Sequence, residues 1–91
     1  MLEPVLLVEI LSPNNYRETR ANVFTYTTLQ SVQEILVVHC TRIEAELLRR
    51  LPDGSWPKQP LALRDGDAVT LDSVGLTLPV RALYRTTSLA A

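Results

Sequence analysis

The segment Pro4-Val5-Leu6-Leu7-Val8-Glu9-Ile10-Leu11-Ser12-Pro13 limits the possible folds more than any other part of this chain. It is an aliphatic run closed at both ends by proline, and it contains a single carboxylate. Its length and its leucine and β-branched content predict a short strand buried on both faces. Glu9 then falls near the C-terminal end of a buried strand, where an ionised carboxylate is costly unless it is paired, hydrogen-bonded or bound to a metal. Open α/β sheets place their ligands at the same ends. The strand's position and its one charge both mark Glu9 as a candidate site residue.

After the Ser12-Pro13 break, Asn15 can cap a helix, with Glu18 three residues on in a variant of the capping box. The expected helix runs from about Tyr16 to Thr28. Thr19, Val23 and Tyr26 form its inward face, with Phe24 and Thr27 on a neighbouring one. Glu34-Ile35-Leu36-Val37-Val38-His39 reads as a second buried strand, which makes a right-handed βαβ unit with parallel strands. From Ile43 the pattern alternates. Ile43, Ala45 and Leu47 oppose Glu44, Glu46 and Leu48, as expected of a strand with one solvated face.

Pro52-Asp53-Gly54-Ser55 is a turn by its chemistry. Trp56 to Leu63, with Pro57 and Pro60, is expected to be irregular or an edge strand. Asp65-Gly66-Asp67 turns into a strand at Ala68 to Leu71. Gly75 to Pro79 then leads to a short helix near Val80 to Tyr84. The expected fold is α/β, a βαβ unit followed by an antiparallel β-meander and a short C-terminal helix, with residues 1–91 forming one small domain.

Composition restricts the function. Hydrophobic content of 46% and charged content of 21% are those of a folding chain rather than a disordered one. A net charge of −1 gives no global basic field, so any contact with nucleic acid must be local. The single cysteine, Cys40, excludes an internal disulfide and a multi-cysteine zinc site, and it suits a reducing cytoplasm. No apolar run approaches the roughly 20 residues of a membrane span, and no signal peptide is recognisable.

The order of elements, together with Val8-Glu9-Ile10-Leu11-Ser12-Pro13, Tyr26, Ser31-Val32-Gln33-Glu34 and the stretch through Asp53-Gly54, resembles the Uma-two family of restriction endonucleases. These belong to the PD-(D/E)XK nuclease superfamily. The resemblance covers nearly the whole chain and matches the C-terminal half of the family's length. It implies a restriction-endonuclease-like fold, present in part, and Mg²⁺- or Mn²⁺-dependent hydrolysis of DNA phosphodiesters.

By that resemblance Glu9 matches the second acidic ligand and the Ile10 carbonyl is a further metal ligand. Asn22 and Tyr26 line the site as catalytic residues beside Glu9. Leu11 stands where the superfamily motif has its lysine, and Asn22 stands where many members carry the cation instead. The motif's first acid belongs to a strand before Glu9. The only earlier carboxylate, Glu3, lies in the same segment as Glu9, so weak or absent activity is expected of this chain.

The plainer alternative for Glu9 is a pair with Arg17 or Arg20. His39 is expected to be a hydrogen-bonded structural histidine, Cys40 an inert thiol, Trp56 a cover for one end of the core, and Asp65 to Asp67 a solvated turn. A competing function is a non-catalytic interaction module. In that case the incomplete sheet exposes an edge and self-associates into a homo-oligomer.

Overall fold

The structure, a computed structural model, describes residues 4–84. Glu3 lies outside them. Six strands and two helical elements follow in the order β1 (Leu6–Leu11), α1 (Tyr16–Tyr26), β2 (Glu34–His39), β3 (Glu44–Arg49), β4 (Leu61–Arg64), β5 (Ala68–Leu71), β6 (Leu76–Pro79) and the 3₁₀ turn η1 (Val80–Tyr84). β1 to β4 form one sheet in sequence order, and β5 and β6 form a second. β1 and β2 are parallel, with Leu7 opposite Ile35, Glu9 opposite Val37 and Leu11 opposite His39. β3 is antiparallel to both β2 and β4. The expected βαβ unit is therefore present. The expected meander is divided, because β4 turns away at Asp65 to Asp67 and the last two strands pair only with each other.

Strand alternation sorts the side chains into two cores. On the helix side, Leu11, Ile35, Val37, Val32 and Val23 are buried, with Leu7, Leu48, Tyr26 and Trp56 packed against them. On the opposite side, Leu36, Val38, Ala45, Leu47 and Leu63 meet Val69, Leu71, Val80 and Tyr84 of the second layer. All six residues of β2 are buried: the aliphatic run Ile35-Leu36-Val37-Val38 as a strand covered on both faces requires, and the terminal Glu34 and His39 beside Arg49 and Glu46.

β1 departs from expectation. α1 covers its Leu7, Glu9 and Leu11 face, but Val8 and Ile10 on the other face are 52% and 53% exposed. Hydrophobicity alone suggested two covered faces, whereas the β5–β6 layer extends over β2 to β4 and over Leu6 only.

The helix also differs at both ends. Asn15 is its N-cap residue without a side-chain cap bond. Its Oδ1 accepts the Ser12 N–H at 2.7 Å and its Nδ2 donates to Ile10 O at 3.2 Å, so it fastens the strand-to-helix turn instead. The expected capping box with Glu18 is not formed. α1 stops at Tyr26, where the hydroxyls of Thr27 and Thr28 donate back to the carbonyls of Phe24 and Thr25. Phe24 was expected on a packing face and is 74% exposed. Residues 56–60 form no strand, because Pro57 and Pro60 cannot donate to a ladder. Among the described residues no helix is long and apolar enough to cross a membrane.

Candidate functional site

Glu9 and Tyr26 come together. The strand alternation aims Glu9 at α1, and the last helical residue meets it there. The Tyr26 hydroxyl donates to Glu9 Oε1 at 2.5 Å. This bond stabilises the neutral phenol beside a carboxylate and raises the Tyr26 pKa above its ordinary value. Asn22, one turn earlier, is half-buried, and its side chain bonds no described residue. The Ile10 carbonyl accepts from Asn15 Nδ2 at 3.2 Å and from Thr19 Oγ1 at 3.5 Å.

The arginine pairing offered as the plain alternative for Glu9 is not formed. Arg20 reaches Glu46 instead, with Nη1 to Oε1 at 3.2 Å and Nη2 to Oε2 at 2.8 Å. Arg20 also lies over the Tyr16 ring, 5.0 Å from its centroid. Glu46 Oε2 is 3.1 Å from His39 Nε2, and Glu44 Oε2 is 3.3 Å from the same nitrogen. Arg42 completes the row by donating to Glu44 at 2.9 Å. Burial pushes the Glu46 carboxyl up, but Arg20 and His39 outweigh it and hold the group below the usual carboxylate range. Arg42 does the same for Glu44.

The sequence reading missed this network. It assigned Glu44 and Glu46 to a solvated face, although the alternation that puts them beside Leu48 puts them on the α1 side of the sheet, where Arg20 reaches Glu46. Two outward-reading glutamates following a strand that ends in His39 were the signal available.

These positions decide how well a divalent ion fits. Glu9 and Glu46 share one row of the sheet with Val37 between them. Two strand spacings separate their backbones by roughly 10 Å, and Glu46 is already held by Arg20 and His39. Glu9 has one oxygen engaged by Tyr26, and the Ile10 carbonyl is engaged twice. Among the described residues no group of three His, Cys, Asp or Glu side chains is arranged to hold a metal ion. The described residues therefore do not make a complete Mg²⁺ site, which needs near-octahedral oxygen ligands.

Beside the network, Leu11, Ser12, Pro13, Tyr16, His39, Thr41 and Arg42 line a cavity of about 160 Å³ at the C-terminal ends of β1 and β2. Cys40 is exposed. Trp56 packs on the helix-side core, donates to Thr27 O at 3.0 Å, and has Arg50 over its ring.

Comparison with known proteins agrees with this architecture. Over 83 residues the chain is 34% identical to the uncharacterized protein slr1290 of Synechocystis sp.. The match covers 90% of this chain and 43% of the relative, so the chain spans less than half of that curated relative's length. No solved structure matches. The Uma2 family model, described as "Putative restriction endonuclease", matches residues 1–81, and the chain belongs to that family.

Proposed function

We propose that this chain carries one part of a Mg²⁺- or Mn²⁺-dependent DNA endonuclease centre, the part contributed by Glu9, and that alone it hydrolyses DNA very slowly or not at all. The carrying observation is the Glu9–Tyr26 pair. It is a half-buried carboxylate on the covered face of a parallel strand, held by the helix that follows, and among the described residues it belongs to no group of three His, Cys, Asp or Glu side chains. Family membership supports the nuclease class, and the unfilled ligand set supports the weakness.

In this reading Glu9 offers its free oxygen, Tyr26 orients the carboxylate, and Asn22 lines the approach as a neutral hydrogen-bonding group. The test is DNA cleavage and thermal melting of the chain with and without Mn²⁺, repeated for Glu9→Gln. Little cleavage and no metal-dependent rise in Tm is the expected result. Robust cleavage abolished by Glu9→Gln would overturn the proposed weakness.

A second reading is favoured by the exposed Val8 and Ile10 on β1, which has no second neighbour among the described strands. It is a non-catalytic module that self-associates through this edge. An ion that binds only the folded state raises its stability, so a metal-dependent rise would mark a working centre; neither reading expects one of this chain alone, and the oligomeric state separates them.

A further inference from the structure

Glu34 is the most completely buried carboxylate described, at 1% exposure, and the endonuclease reading gives it no part. It opens β2, far along the strand from the His39 end. Its partners come from the tip of the β5–β6 hairpin. The Ser73 N–H donates to Oε1 at 2.7 Å and the Asp72 N–H to Oε2 at 3.3 Å. Arg49 of β3 donates Nε to Oε2 at 3.0 Å and Nη2 to Thr70 O at 2.6 Å, and it lies 3.4 Å from Asp72. Burial pushes the Glu34 carboxyl up, and Ser73 and Arg49 together bring it below its ordinary value.

The hairpin's root is fastened separately. Arg81 pairs with Asp65, and the Val80 N–H donates to Asp67 O at 2.9 Å. The Tyr84 hydroxyl oxygen lies 2.5 Å from His39 O and 2.8 Å from Glu44 O. The tip has little apolar hold of its own. Val74 and Leu76 are each 49% exposed, and a cavity of about 250 Å³ lined by Gln33, Glu34, Arg49, Arg50, Asp72 and Ser73 adjoins it. Leu71, 4% exposed, is the last residue before the tip that enters the core.

We propose that β5–β6 is a flap hinged at its η1 root and latched at its tip by Glu34, so that releasing Glu34 uncovers the Leu36 and Leu47 face of the sheet while α1 and its core stay closed. Local openings of this kind occur in contiguous units whose stability is lower than that of the whole molecule. The latch is polar and directional, so losing the charge of Glu34 weakens several bonds at once.

The test is thiol labelling in a Cys40→Ser background, with one buried reporter on the inner face of the flap, Leu71→Cys, and one under α1, Val37→Cys. Glu34→Gln is expected to raise labelling at the flap reporter by about tenfold or more, as for loss of hydrogen bonds to a charged group, and to leave the α1 reporter unchanged. Ser73→Pro removes one latching N–H without touching the carboxylate and is expected to show the same selectivity if Glu34→Gln does not fold. Equal acceleration at both reporters, or none at either, in whichever variant folds, would overturn the latch.

Discussion

At the scale of single residues, the Glu9–Tyr26 bond is the most informative contact. It joins the residue that the sequence singled out to the end of the helix that follows it. Tyr26→Phe keeps the ring and deletes the donor, so it is expected to cost about 1 kcal/mol in denaturant unfolding, the usual worth of a partly exposed hydrogen bond. The phenol's pKa is raised in the folded state by this bond. That contribution is complete below the unfolded value near 10 and is lost as pH rises through the folded value. The difference between wild type and Tyr26→Phe should therefore shrink in strongly alkaline solution. Spectrophotometric titration should also show the Tyr26 phenol of Glu9→Gln ionising at lower pH than in the wild type. An unchanged titration would mean that the two side chains do not meet in solution. Glu9 itself was legible because a lone charge in an apolar strand needs a partner. Its neighbour Tyr26 came only from the family resemblance, because the residues alone offered Arg17 or Arg20, and a chosen rotamer and the exit angle of α1 decide between tyrosine and arginine.

At the scale of elements, α1 is fixed to the sheet by one ion pair that crosses from helix to β3. Arg20 and Glu46 meet through two hydrogen bonds over a carboxylate side chain only 14% exposed. Arg20→Met keeps much of the apolar stem and leaves Glu46 with His39 alone, so a loss of about 1–3 kcal/mol is expected from the shift in denaturation midpoint. Glu46 is held below the ordinary carboxylate value. Its contribution is therefore present above about pH 4.5 and lost as pH falls through the folded value. Glu46→Gln should be less sensitive than wild type to acidification over that interval, and an identical acid profile would remove Glu46 from the account. β2 and β3 were legible from pattern alone, since a continuous aliphatic run and a strict alternation have few other solutions. The fate of α1's outer face was not. Phe24 reads as a core residue by type, and it is exposed because no other described element covers that side. The two-layer arrangement was equally hidden, because local sequence around Asp65 to Asp67 specifies a turn without specifying which sheet the chain joins next.

At the scale of the whole molecule, the unresolved tension lies along β1. The Val5 and Leu11 carbonyls accept from β2-side residues Gln33, Glu34 and Cys40, so the odd-numbered residues of β1 turn their backbone groups toward β2. The alternation turns those of Leu6, Val8 and Ile10 the other way. The Ile10 carbonyl is capped by Asn15 and Thr19, whereas Leu6 and Val8 lie on an edge beside exposed apolar side chains. Such an edge is a template for another strand, and natural proteins commonly block it with charge. If self-association is the chain's property, sedimentation should show a concentration-dependent dimer. Val8→Lys should shift it to monomer while changing monomer stability by no more than about 0.5 kcal/mol, the usual range for an exposed position. A wild-type chain that stays monomeric at high concentration would remove the second reading. A dimer that survives Val8→Lys would place the contact elsewhere, with exposed Phe24 on α1 the next surface to substitute. A dimer tightened by Mn²⁺ and loosened by Glu9→Gln would join the two readings, because the oxygen ligands missing around Glu9 would then be drawn from a second copy across the β1 edge.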